Sequence, residues 1–505
     1  MPISVVDIFA GPGGLGEGFS SFSTPRSPKQ RPFEIAISAE MEPNAAKTLR
    51  LRAFFRQFPP GHVPASYYDY VAGRRQEPWT THTAAQWKSA CEEACQLKLG
   101  EPADDAHLRS RIRQIVRKDD PWVLIGGPPC QAYSLVGRSR NLGNKSYRPE
   151  DDLRHYLYRH YLSLIDEFRP AAFVMENVKG ILSSKVDGTP IFPRILEDLR
   201  SPGGRRGPHY EIIPLVLSQG ASARNPSIDF VLRAEELGVP QARHRVVLLG
   251  LAQELSADSG RRLTPSSDRY GVSSVIGGLP NLRSGVTDSS FDNWGDFAAD
   301  VLSSAAAAAD GREPSVAKLL KRHARASSRQ ADPGMGGRWM PKTDESDTVV
   351  EHLKSWLIDS KLDGILNHEV RAHMVDDLKR YAFAAAFAGV HGHSPRGAPE
   401  FPAVLHPDHK NWSSGKFVDR FKVQLSTTPC STVTSHLSKD GHYFIHPDPQ
   451  QLRSLSVREA ARLQTFPDNY FFEGKRGAQY RQVGNAVPPW MALQIADVVH
   501  SCICG

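Results

Sequence analysis

The chain has 505 residues, room for two or three domains at the usual ~100–200 residues each; with 40% hydrophobic, 23% charged and 9% aromatic residues it has the make-up of a globular protein, not a disordered or fibrous one. Lys and Arg outnumber Asp and Glu by 62 to 55, a net charge of +7 that permits a polyanionic partner without requiring one. No run of about 18 apolar residues occurs, the start Met1-Pro-Ile-Ser-Val-Val-Asp7 lacks the segments of a signal peptide, and six cysteines are too few for a disulfide scaffold, so an intracellular protein is expected.

A first strand is read at residues 3–9, a β-branched run that stops at Ala10-Gly-Pro-Gly-Gly14. A strand, a glycine turn and then a helix leave backbone N–H groups facing a ligand, and a nucleoside cofactor is the natural guest. Such a turn is as often structural, and the spacing here is not GxGxxG. The second run, 34–39, ends at Glu40, an acid able to accept from both hydroxyls of a ribose, with apolar Met41 beside it to cover a base. Alternatively, Glu40 caps the helix that follows. Runs at 122–125, 172–175 and 245–249 are also short and almost continuously apolar, with helical segments between them. Strands buried on both faces read this way, so the expected class is α/β, a parallel sheet with helices on both faces.

The segment Gly126-Gly-Pro-Pro-Cys130-Gln131 puts a thiol just past a strand, behind two prolines that stiffen the backbone. A lone cysteine is more often packing than nucleophile. Met175-Glu176-Asn177-Val178, however, brings a carboxyl to the same edge of the sheet, and Gln241-Ala-Arg243-His-Arg245 adds two guanidinium groups. After Cys130, the loop at 137–145 carries three basic side chains among small residues, suited to phosphates.

Residues 251–440 change character, with Ser, Gly and Pro clusters, an alanine-rich helix around 305–309 and nine histidines without ligand spacing. The region holds 23 basic and 23 acidic residues, so it is not uniformly basic. Lys318, Lys321, Arg322, Arg325 and Arg329 nevertheless follow helical spacing and could track a phosphate backbone or form a solvated face. Cys91 and Cys95 fit one helix face and Cys502 and Cys504 fall at the chain terminus, so no metal site is expected. Ser456 with Glu459 reads as a capped helix start, running to Gln464, and 488–499 as a closing helix.

Taken in order, Asp7–Gly14, Gly127-Pro-Pro-Cys-Gln131, Glu176-Asn-Val178, Gln241–Arg245, Arg458-Glu-Ala-Ala-Arg-Leu-Gln464 and Gly484-Asn-Ala-Val487 make the chain resemble the cytosine-C5 DNA methyltransferases. The resemblance covers residues 1–250 and about 420–500. It implies a Rossmann-like S-adenosylmethionine-dependent catalytic domain at 1–265, a smaller variable target-recognition domain at 266–450, and a return segment, 451–505, that completes the catalytic domain. It implies a cofactor site in which Phe9, Gly11 and Gly14 line S-adenosyl-L-methionine, Glu40 holds the ribose, Met41 packs on the adenine, and Pro129, Leu157, Asn485 and Val487 form further wall. Asp69 is the candidate for the family's acid that meets the adenine amino group after the third strand. Cys130 would attack carbon 6 of a flipped cytosine, a neutral Glu176 would serve N3, and Arg245, with Arg243, would orient base and carboxyl. The expected partner is double-stranded DNA, with restriction or defence-system proteins besides, no membrane, a monomeric chain and a cytoplasmic, nucleoid-associated setting. An RNA (tRNA) cytosine methyltransferase on the same scaffold and a non-catalytic DNA-binding homologue are the alternatives. The size of the variable region favours DNA, and the presence of Cys130, Glu176 and Arg245 favours an enzyme.

Overall fold

The computed structural model describes residues 2–117, 120–128, 153–186, 188–216, 229–258, 261–408, 412 and 419–505. They form two compact units: Met1–Val63, Trp79–Asp268 and Ala486–Gly505 in the first, and Pro64–Pro78 and Arg269–Asn485 in the second.

In the first unit the described residues build an eight-stranded sheet from β1 (Ile3–Ile8), β2 (Phe33–Glu40), β3 (Ala94–Gln96), β4 (Trp122–Gly126), β5 (Ala172–Val178), β6 (Tyr210–Ile213), β7 (Val231–Arg233) and β8 (His244–Ala252). The order is β3-β2-β1-β4-β5-β8-β6, with β7 also pairing β8. The strands from β3 to β5 run parallel. Alternation along each strand feeds two cores. Val5, Ile35, Val123, Val174 and Leu249 face α1 (Gly14–Ser21) and the closing helix Pro489–Cys504, while Val6, Ile37, Leu124, Phe173 and Leu248 face Tyr161, Leu164 and Ile165 of the helix Leu153–Phe168. Burial on both faces is why these strands read as continuous apolar runs.

One part of the expected sheet is corrected. β8 runs antiparallel to β5, with Glu176 opposite Val247 and Arg245 opposite Val178. The reason lies in the connection: β7 ends at Arg233 and β8 starts at His244, and a parallel crossover needs a dozen or more residues. The chain instead folds back through a short 3-10 turn, Ala234–Leu237, and a left-handed Gly238. The strands β3, β6 and β7, of only three or four residues each, were too short to register as apolar periods. Cys91 lies on the helix Ala84–Glu93 but Cys95 lies in β3, so the two do not share a helix face.

The second unit holds an alanine-rich helical cluster, Trp294–Ala309, Pro314–Ser327 and Val375–His391, in which small side chains such as Ala305, Ala309, Ala317, Ala382 and Ala385 are buried. Asn293 starts the first of these helices, its side chain accepting from the Asp296 N–H at 3.1 Å. An antiparallel ribbon pairs Gly336–Pro341 with Gly364–Glu369.

Residues 451–485 belong to this unit, whereas the sequence assigned them to the catalytic domain. Three buried arginines explain the difference. Arg458 donates to the carbonyls of Leu366, Pro467 and Tyr470 at 2.8, 3.1 and 2.7 Å. Arg462 donates to those of Val275 and Ser346, both at 2.8 Å, and pairs with Asp468. Arg453 makes a two-pronged contact with Glu459, 2.7 Å on each side, and the Glu459 carboxylate also closes the capping box with Ser456 at the start of the helix Val457–Leu463. Burial alone would raise Glu459, but the Arg453 guanidinium overrides it and holds the carboxyl far below its ordinary range. Glu459→Gln leaves the Arg453 charge buried without its counter-ion, so the second unit should lose ~3–5 kcal/mol in denaturant titrations. A loss under ~1 kcal/mol would show that the pair is not what anchors this segment.

Candidate active site

The C-terminal edge of the parallel strands gathers the first group of residues. β1 ends at Ile8, and the chain then takes a left-handed conformation at Phe9 (φ 55°), Gly11 (φ 58°) and Gly13 (φ 94°) before α1 begins. A non-glycine residue held in that region, as Phe9 is, costs roughly 1–2 kcal/mol and persists only where surroundings enforce it. The N-cap of α1, Gly13, has no side-chain cap, and within the first turn the Gly16 N–H faces the buried Asp7 carboxyl. Gly14 is required for a different reason: a Cβ there would lie 2.1 Å from the Val487 carbonyl oxygen. The returning segment therefore closes directly on the turn.

Glu40, at the end of β2, ties this turn down. Its Oε2 accepts the Gly11 N–H and its Oε1 the Glu42 N–H, both at 2.8 Å. Burial raises the Glu40 carboxyl while these backbone donors pull the other way. The helix that follows, α2 (Pro43–Arg56), is capped by Glu42, which accepts from the Ala45 N–H at 2.7 Å. Glu40 is thus released from capping, and each of its oxygens keeps acceptor capacity beyond the one backbone bond. Met41 beside it is 56% exposed, an uncovered apolar side chain at the rim. The chain leaves β3 alongside, with the Leu97 N–H donating to the Glu40 carbonyl at 3.0 Å. Its next turn brings Gly100 near Leu157, whose Cδ2 is 3.9 Å from where a Cβ on Gly100 would sit.

A nucleoside fits this edge. Glu40 offers spare acceptors to vicinal hydroxyls, Met41 an apolar face to a base, and Gly11, which has no atom within 4 Å of a Cβ position, an open cradle beside the turn. Beneath α1, Asp7 is buried with its Oδ2 2.9 Å from a Cβ position on Gly16. Burial pushes its carboxyl up to about 8, the Arg56 charge opposing, so a neutral acid underlies the turn near neutral pH. In the sequence Asp7 heads the first motif block, Asp7–Gly14, but carries no assigned task.

Glu176, Asn177 and Arg245 form the second group. The antiparallel pairing of β5 and β8 brings the Arg245 Nε to 2.7 Å from the Glu176 Oε1, with both side chains largely buried. Burial lowers the Arg245 guanidinium, and the Glu176 carboxylate counters it. Glu176 Oε2 lies 2.9 Å from where a Cβ on Gly127 would be, so a glycine at that position makes room for the carboxyl. Asn177 donates from Nδ2 to the Pro128 carbonyl at 3.0 Å and tethers the chain at that point. Asn177 carries no task in its sequence motif; its signal is its place beside Glu176 near the end of β5.

The two arginines separate. Arg243 is only 1% exposed, and its backbone supports the turn into β8, its carbonyl accepting from Ala234 and its N–H donating to the Gln241 carbonyl. Arg245 is the one that reaches the carboxylate. Next to it, the His244 Nε2 meets the Glu235 Oε1 at 2.7 Å, a contact the sequence did not suggest.

Cys130, Pro129 and the basic loop at 137–145 lie outside the described residues. Asp69 does not stand after the third strand. That strand is Ala94–Gln96, whereas Asp69 lies on an earlier helix, Ala65–Val71, of the second unit and pairs with Arg74 at 2.9 Å. A three-residue strand carries too little apolar pattern to be counted, and the expectation was anchored to the wrong segment. Asn485 ends the helix Arg476–Asn485 in the second unit, while Val487 belongs to the first.

Glu40→Gln keeps one acceptor but turns a donor toward one of the two backbone N–H groups. Affinity for S-adenosylmethionine should fall about 10- to 100-fold in calorimetric titration, the value of a hydrogen bond to a charged group. Unchanged affinity would remove Glu40 from the cofactor site.

Residues 83–501 match the family described as C-5 cytosine-specific DNA methylase. The sequence is 32% identical to the type II methyltransferase M.Bpa9945I of Bacillus paralicheniformis, covering 99% of each chain. It is 26% identical to the type II methyltransferase M.AgeI of Thalassovita gelatinovora, covering 99% of this chain and 100% of that one. Among solved structures, one described as a DNA modification methyltransferase encoded within a prophage (E. coli) shares the fold, with a TM-score of 0.53 at 19% identity and full coverage of both chains.

Proposed function

From the premise that the chain belongs to the C-5 cytosine-specific DNA methylase family, we propose that it methylates carbon 5 of a flipped-out cytosine in a specific duplex DNA site through a covalent adduct between Cys130 and carbon 6. The observation that carries the reading is the Arg245–Glu176 contact of 2.7 Å at the strand edge, beside Pro128, which Asn177 holds two residues before Cys130.

Carbon 5 of cytosine is a poor nucleophile while the ring is aromatic. In the proposed mechanism the Cys130 thiolate adds to carbon 6, the ring electrons move toward N3, and Glu176 supplies the proton that N3 acquires. The result is an enamine, nucleophilic at carbon 5. Glu176 has two oxygens for two tasks: Oε1 is oriented by Arg245, which leaves Oε2, on the Gly127 side, for N3. S-adenosylmethionine, when bound, supplies a methyl group made electrophilic by its sulfonium. Phe9, Gly11, Gly14, Glu40, Met41, Leu157 and Val487 would hold it, with Pro129 as further wall. After methylation N3 returns its proton to Glu176, carbon 5 gives its proton to a solvent water acting as base, and the thiolate leaves carbon 6, which restores the aromatic ring. Attack on carbon 6 needs access above the ring, so the target base must leave the stack. The basic loop at 137–145 supplies cations for the phosphates around the opened site. Sequence choice falls to the region 266–450, since the motif blocks hold no base-reading element. Monomeric action, beside a restriction enzyme or other defence protein, completes the proposal.

Duplex DNA carrying 5-fluorocytosine at the target should become linked to Cys130, because fluorine cannot leave carbon 5 as a cation, and peptide mass spectrometry should locate the adduct. Cys130→Ser should form none and transfer no labelled methyl group; attachment at another residue would overturn the nucleophile. Glu176→Gln should slow the single-turnover chemical step by ~10²–10⁴-fold with little change in DNA affinity. A loss confined to affinity would make Glu176 a positioning group only. Labelled methyl transfer to tRNA instead of duplex DNA would select the RNA reading.

A further inference from the structure

The helix Pro314–Ser327 buries Val316, Ala317, Leu320, Ala324 and Ser327 on one face. On the other, Lys318, Arg322 and Arg325 are exposed, as is Arg329 in the turn that continues beyond the C-cap Ser328. At 3.6 residues per turn Lys318, Arg322 and Arg325 fall within an arc of about 60°, along roughly 11 Å of helix, and Arg329 in the turn that follows extends the stripe to about 16 Å. Lys321 flanks them and pairs with Asp310 at 2.9 Å.

Two features separate this stripe from an ordinary solvated face. Residues 314–330 contain no Asp or Glu, and among the described residues none of the four cations meets a carboxylate. Elsewhere in the same unit cations do: Arg74 pairs with Asp69 and Asp363, Lys342 with Asp347, Lys379 with Asp376 and Arg476 with Glu369. Like charges three and four residues apart oppose one another along a helix, and no carboxylate among the described residues compensates them. Moreover, none of the exposed large apolar side chains lies on this helix. A protein partner would need such an anchor, whereas a phosphate backbone needs only regularly spaced charge. About 16 Å of B-DNA carries roughly five phosphates per strand, a linear array that matches the stripe.

We propose that the stripe Lys318, Arg322, Arg325 and Arg329 is a sequence-independent grip on the phosphate backbone of duplex DNA, separate from the residues that read bases. The proposal rests on the duplex DNA substrate argued above. It assigns to the helical cluster of the second unit the task of adding affinity without adding specificity.

The test replaces all four with Gln in the full chain, thermal melting serving as the check on folding, and measures binding to duplexes with and without the methylation site over a range of salt. Wild-type binding should fall steeply with salt, and the plot of log affinity against log salt should be shallower in the variant by about 3 to 4, at ~0.9 per phosphate lost. Both duplexes should lose affinity by the same factor, and bisulfite sequencing should show the same cytosine modified. The double variant Lys318→Gln/Arg322→Gln should flatten the slope by about half as much, which keeps the test informative if the quadruple variant melts early. An unchanged slope, or a loss confined to the duplex with the site, overturns the proposal. Labelled methyl transfer by the wild-type chain to duplex DNA is scored separately, so failure of the substrate reading is distinguishable from failure of the grip.

Discussion

The candidate reaction centre depends on one pairing, that of β5 with the antiparallel β8. With Glu176 opposite Val247 and Arg245 opposite Val178, the register places an arginine near the start of one strand against a carboxyl near the end of its neighbour. A parallel strand in that position would run the other way and deliver its far end to this edge. A slip by one residue would turn Arg245 to the opposite face. The apolar residues Val246 and Leu248 on one face and Val247 and Leu249 on the other lock the register, because all four are buried.

Around that pair, absent side chains matter as much as those present. Gly127 leaves the space that the Glu176 carboxyl fills, and Gly14 admits the carbonyl of Val487. Gly18 in turn lets α1 lie against Ala492 of the closing helix. The last twenty residues of the chain thus pack against the first glycine turn and α1, so this edge of the sheet is built from two segments at opposite ends of the sequence. Glu40 joins β2 to the same turn through the Gly11 N–H, which couples the shape of the turn to the end of β2.

The second unit is organised by a different physics. Its core around the helix Val457–Leu463 holds Arg453, Arg458 and Arg462 almost wholly out of water, each satisfied by carboxylates or backbone carbonyls drawn from distant segments. Buried ion pairs contribute little net stability against well-packed apolar groups, but each fixes the partners it requires. In the helical cluster alanines pack among larger side chains such as Leu302, Leu320, Tyr381 and Phe387, and the outer face of the helix Pro314–Ser327 is left to charge. The fold thereby separates a rigid, internally satisfied scaffold from an outward cationic stripe.

Much of this was legible in the linear chain. The five long strands showed as apolar runs because both faces of the sheet are buried, and the glycine turn, Glu40, Cys130, Glu176 and Arg245 showed as motif residues at strand ends. The Ser456–Glu459 box was equally plain, because capping is local and needs only three residues of separation. What the sequence could not carry depends on partners far away along the chain. Strand direction at β8 follows from a ten-residue connection whose meaning depends on its neighbours, and the three-residue β3 exists only because β2 lies beside it. Asp69 lies before this third strand and not after it. The division of labour between Glu40 and Glu42, and between Arg243 and Arg245, was likewise decided in three dimensions. Both pairs have the same chemistry, and only packing decides that Glu42 caps α2 while Glu40 holds the Gly11 N–H, and that Arg245 meets the Glu176 carboxylate.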